Sequence, residues 1–294
     1  TYSSTNEAEL RSSLGAIAAK LLAMPQPADA VEADNLVVMA NILNFYAGDS
    51  RFPQGYIDVW MGHSPFIINQ INGPTIDMPG ALVNSHPIHT LQDAEHYLSR
   101  LQQFGPALKS VQDKFNTDVK AGWIPPRVLL DKARPILQNY GNSTATEHAL
   151  YKDFAAKLDK NTALSAEQKT ALLSRADELI STVVAPAYQQ LLQTVVATLP
   201  HSRTEAGIWA QPNGSEFYAY SVRQLGDTTL SPDQIHQIGL DEVARISKEM
   251  DSILKANGYS EGSVGDRMTA LAAEPRFLYA DSDAGRAELL ADLN

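Results

Sequence analysis

The side chains best suited to hold a metal fall in one stretch, His86-Pro87-Ile88-His89, with Asp93 and His96 close behind. Imidazole nitrogen and carboxylate oxygen are both zinc ligands. The spacing works against a shared ion. Pro87 keeps the first pair in extended chain. His89 and His96 stand two helical turns apart, a rise of about 10 Å, so they meet only if the intervening chain folds back. Structural or solvent-facing roles are the reading this geometry supports. His63, His148, His201 and His236 are isolated in sequence and read as ordinary polar residues.

A second group belongs to a helix expected after the Pro212-Asn213-Gly214 turn. Glu216, Tyr220, Arg223 and Asp227 make a polar face beside an apolar stripe of Tyr218, Val222 and Leu225. An Arg fork can clamp a peptide carboxylate through two N–H bonds, and a Tyr hydroxyl can bond a peptide carbonyl. Asn213-Gly214 can present backbone N–H groups. Asn213, Tyr220 and Arg223 are therefore the substrate-binding candidates. The plainer reading is internal, with Arg223 paired to Glu216 or Asp227 and the tyrosines packed between helices. Phe217, Tyr218 and Tyr220 also read better as helix packing than as a stacking platform, since no basic groove accompanies them.

No catalytic residue is assigned. HExxH, HxxEH, GxSxG, GxGxxG and GxxxxGK are missing from the 294 residues. The chain has no cysteine, which excludes disulfides, zinc-thiolate sites and thiol nucleophiles. Lys and Arg total 23 against 34 Asp and Glu, a net charge of -11 without a basic block, so nucleic acid is not an expected partner. No apolar run approaches the roughly 20 residues that span a bilayer.

The elements that must position these residues are helices. Leu10, Leu14, Ile17 and Leu21 form one stripe, stopped by Pro25; Leu36, Met39, Leu43 and Tyr46 form a second, ended at Gly48. Tyr56–Ile71 reads as a third, buried helix. Residues 72–89, with three Pro and two Gly, read as an irregular connector. Thr90 caps a long helix that Pro106 should kink or divide. Further helices are expected over Arg127–Tyr140 and Ala145–Lys160. Another runs from the Ser165 capping box towards Leu199, with Leu172, Leu179, Val183, Leu191 and Val195 inward and a bend at Pro186. Ser231-Pro232-Asp233-Gln234 starts a helix to about Ala256. A short helix near Asp266–Ala273, an extended Glu274–Tyr279 and a last helix from about Asp283 complete the chain. The expectation is an all-α fold of long antiparallel helices in a bundle-like array with Pro- and Gly-rich joints. It forms a single helical region over 1–294, with joints at 122–126 and 200–213.

Three runs also carry a resemblance: PNGSEFYAYSVRQ at 212–224, TTLSPDQIHQIGLDEVARISKEM at 228–250, and EPRFLY at 274–279. They resemble the bacterial family catalogued as domain of unknown function 885. Its members resemble zinc metallopeptidases whose HExxH helix lies in the second half of a chain about twice this length. The resemblance implies that this is the amino-terminal part of a larger helical metallopeptidase-like fold. It further implies that no cofactor is held in this chain and that zinc belongs to the missing carboxy-terminal half. That half and a peptide substrate are the implied partners. Many relatives look exported to the periplasm or cell envelope, and a first residue of Thr fits a removed export signal.

The resulting expectation is the cleft-forming half of a zinc-dependent peptidase, inactive alone, with Tyr220, Arg223 and the 73–89 connector lining the cleft. The alternative is a non-catalytic helical module of the cell envelope that binds peptides or proteins. A metal-independent hydrolase ranks last, since no nucleophile has a recognisable partner.

Overall fold

A buried stripe on one long helix is the axis of the larger part of the chain. Tyr97, Leu101, Phe104, Leu108, Val111 and Phe115 step by four and three along α4 (Leu91–Lys120), and all are buried. That spacing keeps side chains on one helix face. The computed structural model describes residues 2–58, 60 and 62–294. It divides into two compact units, Thr1–Asp227 and Thr228–Asn294. Thr90 and Asp93 cap α4 reciprocally, and the helix continues through Pro106, which does not divide it.

In the first unit α4 packs against α7 (Ala166–Leu179) and α8 (Ala185–Thr198), α8 packs on α5 (Arg127–Asn142), and α6 (Ala149–Lys160) packs on α7. Tyr97 stacks on Phe154 with ring centroids 4.6 Å apart, and Tyr140 on Tyr188 at 4.9 Å. Two further helices, α1 (Ser4–Leu22) and α2 (Ala30–Ala47), pair with each other. The fold is all-α; among the described residues the exception is one hairpin of three-residue strands.

Between α7 and α8 the helix does not break at Pro186. It widens over Ile180–Val184, where the Ala185 N–H donates to the Ile180 carbonyl five residues back. Proline has no N–H to give and its ring crowds the carbonyl four residues before it, and a wide turn absorbs both effects. The extra residue also shifts the buried face. Leu179 and Val183, expected inward, are half-buried. The buried series is Leu172, Ala176, Ile180, Val184, Tyr188, Leu191 and Val195.

Two neighbouring stretches depart from the expected secondary structure. Tyr56–Ile71 is not a helix. Strands β1 (Tyr56–Asp58) and β2 (Gly62–Ser64) pair antiparallel, Ile57 opposite His63; Val59 and Met61 of that expected helix lie outside the described residues. Gly55 enters β1 at φ +69°, and the Asn69 side chain accepts the N–H groups of Ile71 and Asn72, a local bond that competes with helix. Phe66, Ile67 and Ile68 are buried, as an apolar run should be, but in irregular chain.

Residues 72–89 are not an irregular connector, because Pro74–Ser85 is helical (α3). Pro74 takes the first turn, where no N–H is needed, and Asp77 accepts the Gly73 N–H. Pro79 lies inside the helix and cannot serve the Thr75 carbonyl four residues back. The buried Tyr188 hydroxyl donates to that carbonyl instead, at 2.9 Å. The Pro-rich sequence is helical here because a tertiary donor replaces the missing backbone one.

The joints at 122–126 and 200–213 hold each other. The buried Gln211 side chain accepts from Ile124 N–H at 3.1 Å and donates to the Ile124 carbonyl at 2.8 Å, while Arg127 N–H donates to the Arg203 carbonyl. Helix α9 (Gly214–Gly226) follows and closes the first unit.

The second unit holds α10 (Pro232–Ala256), α11 (Val264–Ala272) and α12 (Asp283–Leu293). Ser231 and Gln234 form the expected capping box. Glu274–Tyr279 is not extended throughout, since Pro275–Phe277 is a 3₁₀ turn. Its fastening is polar. Arg267 bonds the Asp251 carboxylate and the Tyr259 carbonyl, and Tyr259 bonds Glu274 and Arg276. Among its described residues only Leu254, Arg267 and Gly285 are buried. The apolar positions Ile235, Ile238, Val243, Ile246 and Ile253 of α10 are exposed.

Candidate functional site

Two i,i+4 pairs of opposite charge face one cleft in the first unit. Glu7 and Arg11 lie one turn apart on α1, their charged groups 3.4 Å apart and their side chains 12% and 10% exposed. Lys114 and Asp118 lie one turn apart on α4 at 2.6 Å, and the Lys114 side chain is 2% exposed. The segment after α2 threads between them. Gly48 ends α2 at φ +66°, and a Cβ there would meet the Tyr220 hydroxyl and the Arg11 guanidinium. Arg11 Nη1 donates to the Phe52 carbonyl at 3.0 Å and Lys114 Nζ to the Pro53 carbonyl at 2.9 Å. Asp118 accepts the Gly55 N–H at 2.9 Å. Gly55 must be glycine, since a Cβ would fall 1.9 Å from the Ser64 carbonyl oxygen.

The cleft so formed encloses about 710 Å³. Its walls include Glu7, Arg11, Gln54, Lys114, Asp118, Trp123 and Asn213. Beneath it Phe52, Phe66, Trp123, Phe217 and Tyr220 form a separate aromatic cluster, with Phe52 on Phe217 at 5.3 Å and Trp123 on Phe217 at 5.4 Å. Low polarity below and charge above perturb the titratable groups. Burial holds the Glu7 and Asp118 carboxyls above their usual range, against the pull of Arg11 and Lys114. Burial pushes His63 down to about 4. Its ring lies edge-on to Phe217 at 5.1 Å, and its Nε2 meets the Gln54 carbonyl at 2.6 Å. Arg11 Nη2 and Gln54 Nε2 are buried without a hydrogen-bond partner, and the buried Glu7 Oε1 and Arg11 Nε meet each other as an ion pair at 3.4 Å, without hydrogen-bond geometry. Each such group costs about 1–3 kcal/mol when nothing completes it. Their concentration around one cleft, together with shifted pKa values, marks the candidate site.

The sequence-predicted residues divide on this site. Asn213 lines it, in left-handed conformation at φ 52°. Tyr220 is buried beneath it, and burial raises its pKa. Arg223 lies on the exposed side of α9, outside the cleft lining, and among the described residues makes no ion pair with Glu216 or Asp227. The face assignment for α9 is corrected. Gly214, Phe217 and Tyr220 point inward, while Tyr218 and Leu225 are exposed. The 73–89 segment, expected to line the cleft, forms α3 and the turn after it and contributes no lining residue.

His86 has a structural assignment. It is buried, its Nε2 meets the Asp93 carbonyl at 2.9 Å, its Nδ1 meets Arg100, and its ring lies edge-on to Tyr97. Asp93 uses its carboxylate on Thr90 and the His89 N–H, which holds its pKa down. His89 and His96 are exposed. Among the described residues no three His, Cys, Asp or Glu side chains converge to hold a metal ion. Ser252 and Lys255, at the SxxK spacing of a serine nucleophile and its base, do not meet; Ser252 donates to the Lys248 carbonyl and Lys255 pairs with Asp251.

Sequence reasoning missed Glu7, Arg11, Gln54, Lys114 and Asp118. The i,i+4 opposite-charge spacing of two pairs was visible, but that spacing is common on solvated helix faces. Only the tertiary fold shows that both are buried.

Over residues 1–294 the chain matches the family described as bacterial protein of unknown function (DUF885). The chain belongs to that family. A solved structure, "The crystal structure of the putative lipoprotein from Colwellia psychrerythraea", is similar to it at 46% identity and a TM-score of 0.93. The alignment covers 100% of this chain and 50% of that one, so this chain spans about half the length of the structure it matches. No curated protein matches. Among the described residues no helix is long and apolar enough to cross a membrane.

Proposed function

We propose that this DUF885 chain is the amino-terminal, substrate-cleft-forming half of a zinc-dependent peptidase of the cell envelope. The observation that carries the reading is the cleft of about 710 Å³ with its buried charges and unpartnered polar atoms. A groove of that size accommodates a short peptide. Asn213 would contact the substrate at the rim. Tyr220 would brace the floor between Arg11 and the aromatic cluster. Arg223, exposed on α9, would meet whatever covers that helix.

Among the described residues no three His, Cys, Asp or Glu side chains converge. The reading therefore assigns the metal, and the HExxH motif, to the remainder of a longer chain, and no catalytic step is derived from this half. Two facts support a missing remainder. The chain aligns with half of the similar structure. Large apolar side chains also stand bare on α1, α2 and α10, including Leu10, Met39, Ile42 and Val243. Exposed apolar helix faces of this extent mark surfaces that another element covers. The lipoprotein description of the similar structure supports placement in the envelope.

Peptide hydrolysis with added zinc tests the reading. Residues 1–294 alone should cleave nothing, and the chain continued through its second half should cleave peptides and lose activity to a chelator. Turnover by residues 1–294 overturns the proposal. A longer chain that binds peptides but neither binds zinc nor cleaves them would establish the alternative, a peptide-binding module.

A further inference from the structure

We infer that the apolar face of α10 seats the second half of the longer chain, whose backbone crosses α10 at Gly239. This rests on the reading that residues 1–294 are half of a protein, and not on its zinc or peptide chemistry.

The sequence of α10 sets up the face. Ile235, Gly239, Val243, Ile246, Met250 and Ile253 step by four, four, three, four and three, which brings them to one side of a helix. The opposite side is served within the helix: Gln237 bonds Asp241, Arg245 pairs with Glu249, and the Ser252 hydroxyl donates to the Lys248 carbonyl. One side is finished for water and the other is not. Residues 233–246 are all exposed, and in α10 only Leu254, near the carboxyl end, is buried.

Gly239 is the observation that points to an occupant. Glycine inside a helix weakens it relative to alanine, and its use there is to let another group come close. The first unit shows this use. A Cβ on Gly105 of α4 would lie 3.0 Å from Val183, and one on Gly141 of α5 would lie 3.1 Å from the Gln189 backbone nitrogen. A Cβ on Gly239 meets nothing within 4 Å among the described residues. Its backbone is helical, so no positive φ calls for glycine either. The helix thus carries a glycine at the middle of its apolar face with no neighbour using the space. The similar structure supplies the occupant's identity. It matches this chain from end to end and holds about as many residues again outside the match. A partner encoded in the same chain needs no second molecule to cover the face.

The test is amide hydrogen exchange along α10, with and without Gly239→Ala, in residues 1–294 and in the chain continued through its second half. In residues 1–294 the substitution should slow exchange about fivefold, the alanine-over-glycine preference of an uncovered helix. In the continued chain α10 should exchange about a hundredfold more slowly than in the shorter one. There Gly239→Ala should speed exchange and lower the melting temperature, because the added methyl meets the incoming backbone. Gly239→Leu should do both more strongly. This reversal of sign separates docking from helix propensity, and a continued Gly239→Ala chain that fails to fold while the shorter one folds shows the same reversal. Slower exchange in both chains overturns the inference. Equal exchange of the parent α10 in the two chains overturns it as well. So does full protection in residues 1–294 alone, which at a doubled molecular mass assigns the face to a second copy. None of these outcomes touches the zinc-dependent hydrolysis assay, so the inference and the peptidase reading fail separately.

Discussion

The Lys114 ammonium is almost wholly buried, and its partners are one carboxylate and one carbonyl. Removing one member of such a pair strands the other charge away from water. Lys114→Met should cost about 3–5 kcal/mol, read as a lowered urea midpoint. His63 supplies a second residue-level prediction. Burial lowers its pKa from 6.5 to about 4. Between those values the unfolded chain binds a proton that the folded chain refuses, so this residue's contribution to stability is lost as pH falls through that window. Compared with His63→Gln, the native protein should lose stability from pH 6.5 to 4 and be unaffected above 7. A ring titrating near 6.5 by NMR would contradict it. At this scale little of the site was legible. The turn at Asn213 was, because a Pro-Asn-Gly sequence signals positive φ. Arg11 and Glu7 were not, because nothing in their spacing distinguishes a buried pair from a solvated one.

Helices are where the sequence was most readable, through periodicity and caps. Thr90 caps its helix, and the capping boxes at Ser165 and Ser231 form. Misreadings arose where a tertiary partner replaced a local rule. The run 72–89, Pro79 included, read as an irregular connector, yet the Tyr188 hydroxyl takes over the Thr75 carbonyl that Pro79 leaves unserved. Tyr188→Phe should therefore cost about 1–3 kcal/mol, the penalty for an unserved buried acceptor. In a Pro79→Ala background, where the helix regains its own donor, the same change should cost less; equal costs in both backgrounds would contradict the account. The hairpin was hidden because its strands are three residues long and its shape depends on Gly55. Gly55→Ala should destabilise far more than Gly258→Ala. Both have positive φ, but a Cβ at Gly258 meets nothing within 4 Å, leaving only a backbone penalty of about 1–2 kcal/mol. Thermal melts of the two variants decide it. The widened turn at Ile180–Val184 was illegible for a different reason, since a one-residue shift of helix phase leaves apolar residues on either face.

For the whole molecule, the all-α architecture followed from the periodicity, but the bare faces appear only in three dimensions. Val38 and Met39 on α2 are 52% and 54% exposed, and α10 shows the same pattern at Val243 and Ile253. Val38→Glu and Met39→Glu should change the stability of residues 1–294 by no more than about 0.5 kcal/mol, while weakening its association with the second half. An apolar dye should bind residues 1–294 strongly and the continued chain weakly.

The central claim is that this family member builds the cleft and leaves the metal to the rest of the chain. The most direct measurement is metal content after equilibration with zinc, made in parallel on residues 1–294 and on the chain continued through its second half. The account predicts no retained zinc in the first and about one equivalent in the second, held by a tetrahedral ligand set. Stoichiometric zinc on residues 1–294, or none on the continued chain, would contradict it.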